Sequence, residues 1–207
     1  NDIRLCLDNA ISGYEAGCSV ANKVEVVKLI KDKGKIVGVE ACDKLTGENF
    51  TIRAKVVVNA TGAWSNRILN LDEPNSPPIT RPTKGIHIVY KKLPHDRAIL
   101  LSASKDKRIF FVIPWRGNTL IGTTDTDYAG SCDEVYASRD DVEYLLEGAR
   151  KIFPRENIDR TGIITTFAGL RPLVNTEVMP AWQASREYLI KESLSGLISV
   201  AGGKYTT

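Results

Sequence analysis

Apolar residues near the start of the chain, Ile3, Leu5, Leu7, Ala10, Ile11, Tyr14 and Ala16, recur at spacings that mostly suit an amphipathic helix. The helix is predicted to end near Gly17 and to pack on a sheet. The period then changes. Residues 24–30, 35–42 and 49–53 are short β-rich runs joined by Lys-Asp-Lys-Gly and Lys-Leu-Thr-Gly, which predicts a three-stranded antiparallel meander. In residues 55–60 the valines Val56, Val57 and Val58 run without alternation, as expected of a strand buried on both faces.

Four of the nine prolines, Pro74, Pro77, Pro78 and Pro82, fall between Asp72 and Pro82, a stretch expected to be irregular and to cross between subdomains. Beyond Gly85 the pattern is again β, at 86–90, 99–102, 109–114 and 119–123, with Arg116-Gly117-Asn118 as a hairpin turn. Residues 138–153 carry the clearest helical signal. Ser138 suits the cap, Asp140 and Asp141 suit the positive end of the dipole, and Val142, Leu145, Leu146, Ala149 and Ile152 form one stripe that Pro154 stops. Strands follow at 161–168, 186–190 and 197–200. The expected fold class is α+β: a mostly antiparallel sheet domain with one long backing helix, plus part of an α/β domain that includes a β-meander.

Composition narrows what this fold can serve. A chain of 207 residues, 43% hydrophobic, can bury a substantial core. The net charge of +3 calls for neither nucleic acid nor a membrane surface as partner. No apolar run approaches the roughly 20 residues that span a bilayer, so no transmembrane segment is expected. Cys6, Cys18, Cys42 and Cys132 form no C-x-x-C pair, which suits a reducing cytoplasm, and with only His87 and His95 besides them no metal site is expected. The opening Asn-Asp-Ile-Arg is not a signal peptide, and both ends read as boundaries within a longer protein.

Several short stretches could carry chemistry. Ala60-Thr61-Gly62-Ala63-Trp64 puts small residues after a strand, where a backbone can approach a cofactor closely, although a plain strand-to-helix turn has the same form. Thr83-Lys84-Gly85-Ile86-His87 holds a histidine able to take a hydroxyl proton, or one lying on the polar side of a half-buried strand. Thr123-Thr124-Asp125-Thr126-Asp127 can orient a ligand by hydrogen bonds or form a solvated loop. Arg171, set among apolar residues ahead of Pro172, requires an anion, whether a ligand or an internal carboxylate. Arg186 and Lys204, the latter after Gly202-Gly203, would complete a cradle for a phosphate dianion, and Arg186 also fits an exposed strand position.

Taken in order, Asn59-Ala60-Thr61-Gly62, Thr83-Lys84-Gly85-Ile86-His87, Ile113-Pro114-Trp115-Arg116-Gly117 through Ile121-Gly122-Thr123-Thr124-Asp125, Gly169-Leu170-Arg171-Pro172-Leu173 and Gly202-Gly203-Lys204-Tyr205-Thr206-Thr207 resemble the flavin-dependent glycerol-3-phosphate dehydrogenases. These belong to the D-amino-acid-oxidase-like flavoproteins. The resemblance covers essentially the whole chain. It implies hydride transfer from C2 of sn-glycerol 3-phosphate to FAD, giving dihydroxyacetone phosphate, with electrons passing on to quinone or another acceptor. It further implies a partial FAD-binding domain at 1–73, a substrate cap at 74–195 and a return strand of the FAD-binding domain at 196–207.

By motif, His87 and Arg171 are the expected catalytic pair, Arg171, Arg186 and Lys204 the substrate-binding charges, and Thr61, Gly62, Gly202 and Gly203 the FAD contacts. The expected location is the cytoplasm, or the inner face of the cell membrane as a peripheral protein. The departure from the family is the lack of any G-x-G-x-x-G, so the chain alone is expected to bind flavin poorly and to be inactive. Two alternatives remain: a related FAD-dependent amine or hydroxy-acid oxidase, and a non-catalytic module that binds a phosphorylated ligand.

Overall fold

The computed structural model describes residues 2–102, 109–175 and 187–203. In chain order these form α1 (Asp2–Glu15), β1 (Val24–Asp32), β2 (Lys35–Asp43), β3 (Asn49–Arg53), β4 (Val57–Asn59), α2 (Ser65–Asp72), β5 (Thr80–Tyr90), β6 (Ile99–Ser102), β7 (Ile109–Trp115) and β8 (Asn118–Gly122). They continue with β9 (Thr126–Asp127), α3 (Arg139–Ile152), β10 (Ile163–Val174), β11 (Tyr188–Glu192) and β12 (Leu197–Gly202). The mixed architecture, mostly sheet with few helices, matches the fold class read from the sequence. Two compact units divide the chain, one made of residues up to 77 and from 187 onward, the other of residues 78–186. The strand Tyr188–Glu192, expected within 74–195, therefore falls in the first unit, where it pairs with β12.

The first unit contains the antiparallel meander β1-β2-β3 and a second sheet in the order β11-β12-β4, in which β12 runs parallel to β4. Two expectations fail here. Val56 and Val58 are more than half exposed and only Asn59 is buried, so the valine run is not covered on both faces: β4 is a short edge strand paired to β12. The helix α1 forms as its spacing predicts, but Ile3, Leu5, Leu7, Ile11 and Tyr14 remain exposed rather than packed on a sheet. Spacing dictates helical form locally, whereas burial needs a facing surface that spacing cannot supply.

The second unit is an antiparallel sheet in the order β10-β5-β8-β7-β6, with β9 added beside β5. Its core lies on one face, where Ile86, Ile88 and Tyr90 of β5 meet Phe110, Val112 and Ile121, and α3 covers them with Val142, Leu145, Leu146 and Ala149. Each large apolar side chain fully buried in this way contributes roughly 1.5–3 kcal/mol. The start of α3 closes as its sequence suggests. Ser138 Oγ accepts from the Asp141 amide at 3.3 Å, and the Asp141 carboxylate accepts from the Ser138 amide at 2.9 Å, a reciprocal cap.

The proline-rich stretch is less irregular than expected, because β5 begins at Thr80 and includes Pro82, opposite Pro172 of β10. Neither proline can donate to its partner, so the pair suits a ladder position whose polar groups point outward. The Pro82 carbonyl does so, accepting from the Tyr128 amide at 3.1 Å. β10 also extends to Val174, six residues past the expected end at Ala168, so the whole Gly169-Leu170-Arg171-Pro172-Leu173 motif is strand.

Candidate active site

Because residues alternate across a strand, a β5 that sends Ile86, Ile88 and Tyr90 to the core turns Thr83, Gly85 and His87 to the opposite face. The antiparallel register brings neighbours onto that face: Phe167 and Gly122 lie opposite His87, Gly169 opposite Gly85, and Arg171 opposite Thr83. Two sequence-predicted residues, His87 and Arg171, thus share one surface of the second unit.

The His87 ring stacks on Phe167, with centroids 4.9 Å apart and planes 9° from parallel. A Cβ at Gly122 would overlap the imidazole, its Cγ only 2.7 Å away, so the ring lies directly against the β8 backbone. Burial, reinforced by the Arg171 charge, holds the His87 pKa below the ordinary histidine value. The imidazole is therefore neutral near neutral pH and able to accept a proton.

Arg171 is gripped by the loop after β8. Its Nη2 donates to Thr123 Oγ1 at 3.0 Å and to the Thr124 carbonyl at 3.2 Å, and its Nη1 lies 3.4 Å from Asp125 Oδ1. The loop is itself pinned, since buried Thr124 accepts from the Ile86 amide at 3.1 Å. Of the two anions the sequence allowed for Arg171, an internal carboxylate is present in Asp125. The pairing is long, and 25% of the Arg171 side chain remains accessible, which leaves room for an external anion as well.

The expected cofactor residues gather in the first unit. Since β4 and β12 run parallel in register from Leu197 opposite Val57 to Ser199 opposite Asn59, both carboxyl ends lie at one edge of the sheet. Thr61 and Gly62 follow β4, and Gly202 and Gly203 end β12, so the structure brings these four residues to the same edge. The carboxyl ends of parallel strands are where nucleotide ligands approach open sheets. Gly62, Gly202 and Gly203 all have positive φ and present bare backbone. The Gly203 amide already donates to the Glu187 carbonyl at 3.0 Å. The turn after β4 is rigid: buried Asn59 accepts from Thr61 Oγ1 at 2.7 Å and donates to the Ser65 carbonyl at 3.0 Å. Arg186 and Lys204 lie outside the described residues.

The contacts of Gly85, Gly122, Asp125 and Phe167 were not read from the sequence. The hydroxyl and carboxylate cluster at 123–127 did signal Asp125, but a loop that orients a ligand and one that grips an arginine have the same composition. Phe167 and Gly122 meet His87 only through the strand register, which no local pattern discloses.

Residues 1–207 match the family described as FAD dependent oxidoreductase. The chain belongs to this family, whose members use FAD. It is 35% identical to a probable mitochondrial glycerol-3-phosphate dehydrogenase of Dictyostelium discoideum and 36% identical to the aerobic glycerol-3-phosphate dehydrogenase of Staphylococcus aureus. Each comparison covers 100% of this chain, but only 35% and 38% of the relative, respectively. Among solved structures, the glycerol-3-phosphate dehydrogenase of Bacillus halodurans complexed with FAD is 35% identical with a TM-score of 0.87, over 98% of this chain and 39% of that one. A glycine oxidase of Bacillus cereus, 21% identical with a TM-score of 0.62 over 95% of this chain and 48% of its own, shares the fold. The chain therefore spans less than two fifths of the glycerol-3-phosphate dehydrogenases it matches. Among the described residues no helix is long and apolar enough to cross a membrane.

Proposed function

We propose that the full-length protein carrying this chain oxidises sn-glycerol 3-phosphate to dihydroxyacetone phosphate, with the second unit supplying much of the substrate site. The observation that carries this reading is the pairing of His87, kept neutral by burial and by Arg171, with a guanidinium that is firmly held yet still a quarter accessible. The names borne by the 35–36% identical relatives point the same way.

In this reading Arg171 donates to the C2 oxygen and stabilises negative charge as it develops there, while His87 takes the hydroxyl proton. The C2–H bond breaks as the O–H bond does. Thr61, Gly62, Gly202 and Gly203 would hold FAD, which when bound would supply the hydride acceptor and the route for electrons to quinone or another acceptor. Arg186 and Lys204 bind the phosphate, their two charges suiting a dianion better than a carboxylate. The protein works in the cytoplasm or at the inner face of the cell membrane. The 207-residue chain is inactive by itself, because it contains no G-x-G-x-x-G to hold the pyrophosphate.

The test is anaerobic reduction of the flavin in the full-length protein. sn-Glycerol 3-phosphate is expected to bleach the oxidised flavin spectrum, and Arg171→Ala to lower kcat more than it raises KM. Bleaching by glycine or sarcosine but not by glycerol 3-phosphate would overturn the reading in favour of an amine oxidase.

A further inference from the structure

We propose that Gly85 is a positioning residue for Arg171, its missing side chain leaving the space in which the guanidinium lies while Thr123, Thr124 and Asp125 grip the guanidinium nitrogens. The proposal rests on Arg171 being the substrate-side arginine of the reading above, and adds what keeps it in place.

The backbone at Gly85 does not itself demand glycine, since its φ lies outside the left-handed region where side chains are strained. What demands it is space. A Cβ built at Gly85 would stand 2.6 Å from Arg171 Nη1 and 2.7 Å from Cζ, inside the guanidinium. Gly169, opposite Gly85 in the same ladder, has nothing within 4 Å of its Cβ position. One glycine of the pair is thus filled by the arginine and the other is open. The three acceptors of the loop after β8 hold the guanidinium by its nitrogens, and the bare Gly85 backbone adjoins it. A guanidinium so fixed lies near enough to His87 to oppose protonation of the imidazole.

The clash involves the far end of a flexible side chain, and alanine costs a strand less than glycine does, so Gly85→Ala is expected to fold with the guanidinium displaced. His87 reports that displacement without flavin or substrate. In the 207-residue chain, NMR titration of the His87 ring is expected to move to higher pH in Gly85→Ala, towards the value in Arg171→Met, while Gly169→Ala titrates as the parent does. A Gly85→Ala titration that superimposes on the parent, or a Gly169→Ala shift of equal size, would sink the proposal.

Thermal melting checks the fold of each variant. Should Gly85→Ala not fold, Asp125→Asn supplies the second test. Weakening the grip on the nitrogens is expected to speed solvent exchange of the Arg171 Nε–H, and unchanged exchange counts against the proposal. In the full-length protein, Gly85→Ala is expected to lower kcat on the order of tenfold with KM within about twofold, because a misplaced group loses transition-state contact more than binding. A full-length protein that does not oxidise glycerol 3-phosphate would end the functional reading, yet leave the His87 titration to decide the positioning.

Discussion

The two units are closed by different means. In residues 78–186 an amphipathic helix lies on an antiparallel sheet over a large apolar cluster, in which Ile86, Ile88, Tyr90, Val112, Ile121, Leu145 and Leu146 are all essentially inaccessible. In the first unit many of the buried residues are polar. Asp72 accepts from Ser193 Oγ at 2.6 Å and from Ser195 Oγ at 2.5 Å and pairs with Lys31 at 2.8 Å, while Asn59, Ser65 and Ser199 are also buried and Asn59 bonds to the other two. Leu29, Leu69 and Leu197 are buried too, but other large apolar residues of this unit, including Val56, Val58, Tyr188 and Ile190, stay on the surface. An apolar core stabilises without regard to direction, whereas a buried polar network holds only if each group keeps its partner. The difference also explains why the second unit can present His87 and Arg171: its core uses one face of β5 and leaves the other for chemistry.

The comparison breaks most visibly in hydrogen exchange. Amides of Ile86, Ile88 and Ile121 are expected to exchange on the order of a thousandfold more slowly than those of α1 and β4, since core strands open only with the whole unit while edge elements open locally. Equal protection would mean that the polar network of the first unit closes it as firmly as the apolar core closes the second.

A buried ion pair in the second unit qualifies the contrast. Lys84 Nζ lies 2.5 Å from Asp141 Oδ2, with side chains 12% and 8% exposed, tying β5 to the cap of α3. Burial alone would raise the Asp141 pKa, but hydrogen bonds from Lys84 and Ser138 outweigh it and hold the carboxyl below its ordinary value. Lys84→Met leaves that charge buried without its partner and is expected to cost roughly 3–5 kcal/mol in denaturant unfolding. A depressed carboxyl pKa stabilises fully above its unfolded value, near pH 4, and is lost as pH falls through the folded value. The parent should therefore lose stability below about pH 4, and Lys84→Met should lose less over the same range. A variant as stable as the parent would show that the pair contributes no more than an exposed one.

How much of this was legible depended on whether the cause was local. The α3 signal was complete in sequence, with cap, dipole charges, stripe and Pro154 all within one segment. The meander was equally legible. Its turns and alternation are local, and β1, β2 and β3 pair as read. Val56-Val57-Val58 misled because an apolar run reports what a strand can tolerate, and Val56 and Val58 are exposed on an edge. At the site, His87 and Arg171 were identifiable as residues, but 84 positions separate them and only the β5–β10 register brings them to one face. Gly85 was least legible, because its contribution is an absence that matters only once Arg171 lies against it.

The smallest expected effect tests the exposed side of the comparison. Ile190 of β11 is 61% exposed on the sheet that also carries Tyr188 and Val58. Truncating a side chain already in water removes little burial, so Ile190→Ala in the 207-residue chain should change unfolding free energy by no more than about 0.5 kcal/mol. Leu145→Ala, at a wholly buried position of α3, supplies the yardstick at roughly 2–5 kcal/mol. If Ile190→Ala approached the Leu145→Ala value, this apolar face would have to be covered in solution. Repeating the measurement across protein concentrations would then distinguish the two sources of cover: self-association makes the cost concentration-dependent, and packing within one chain does not.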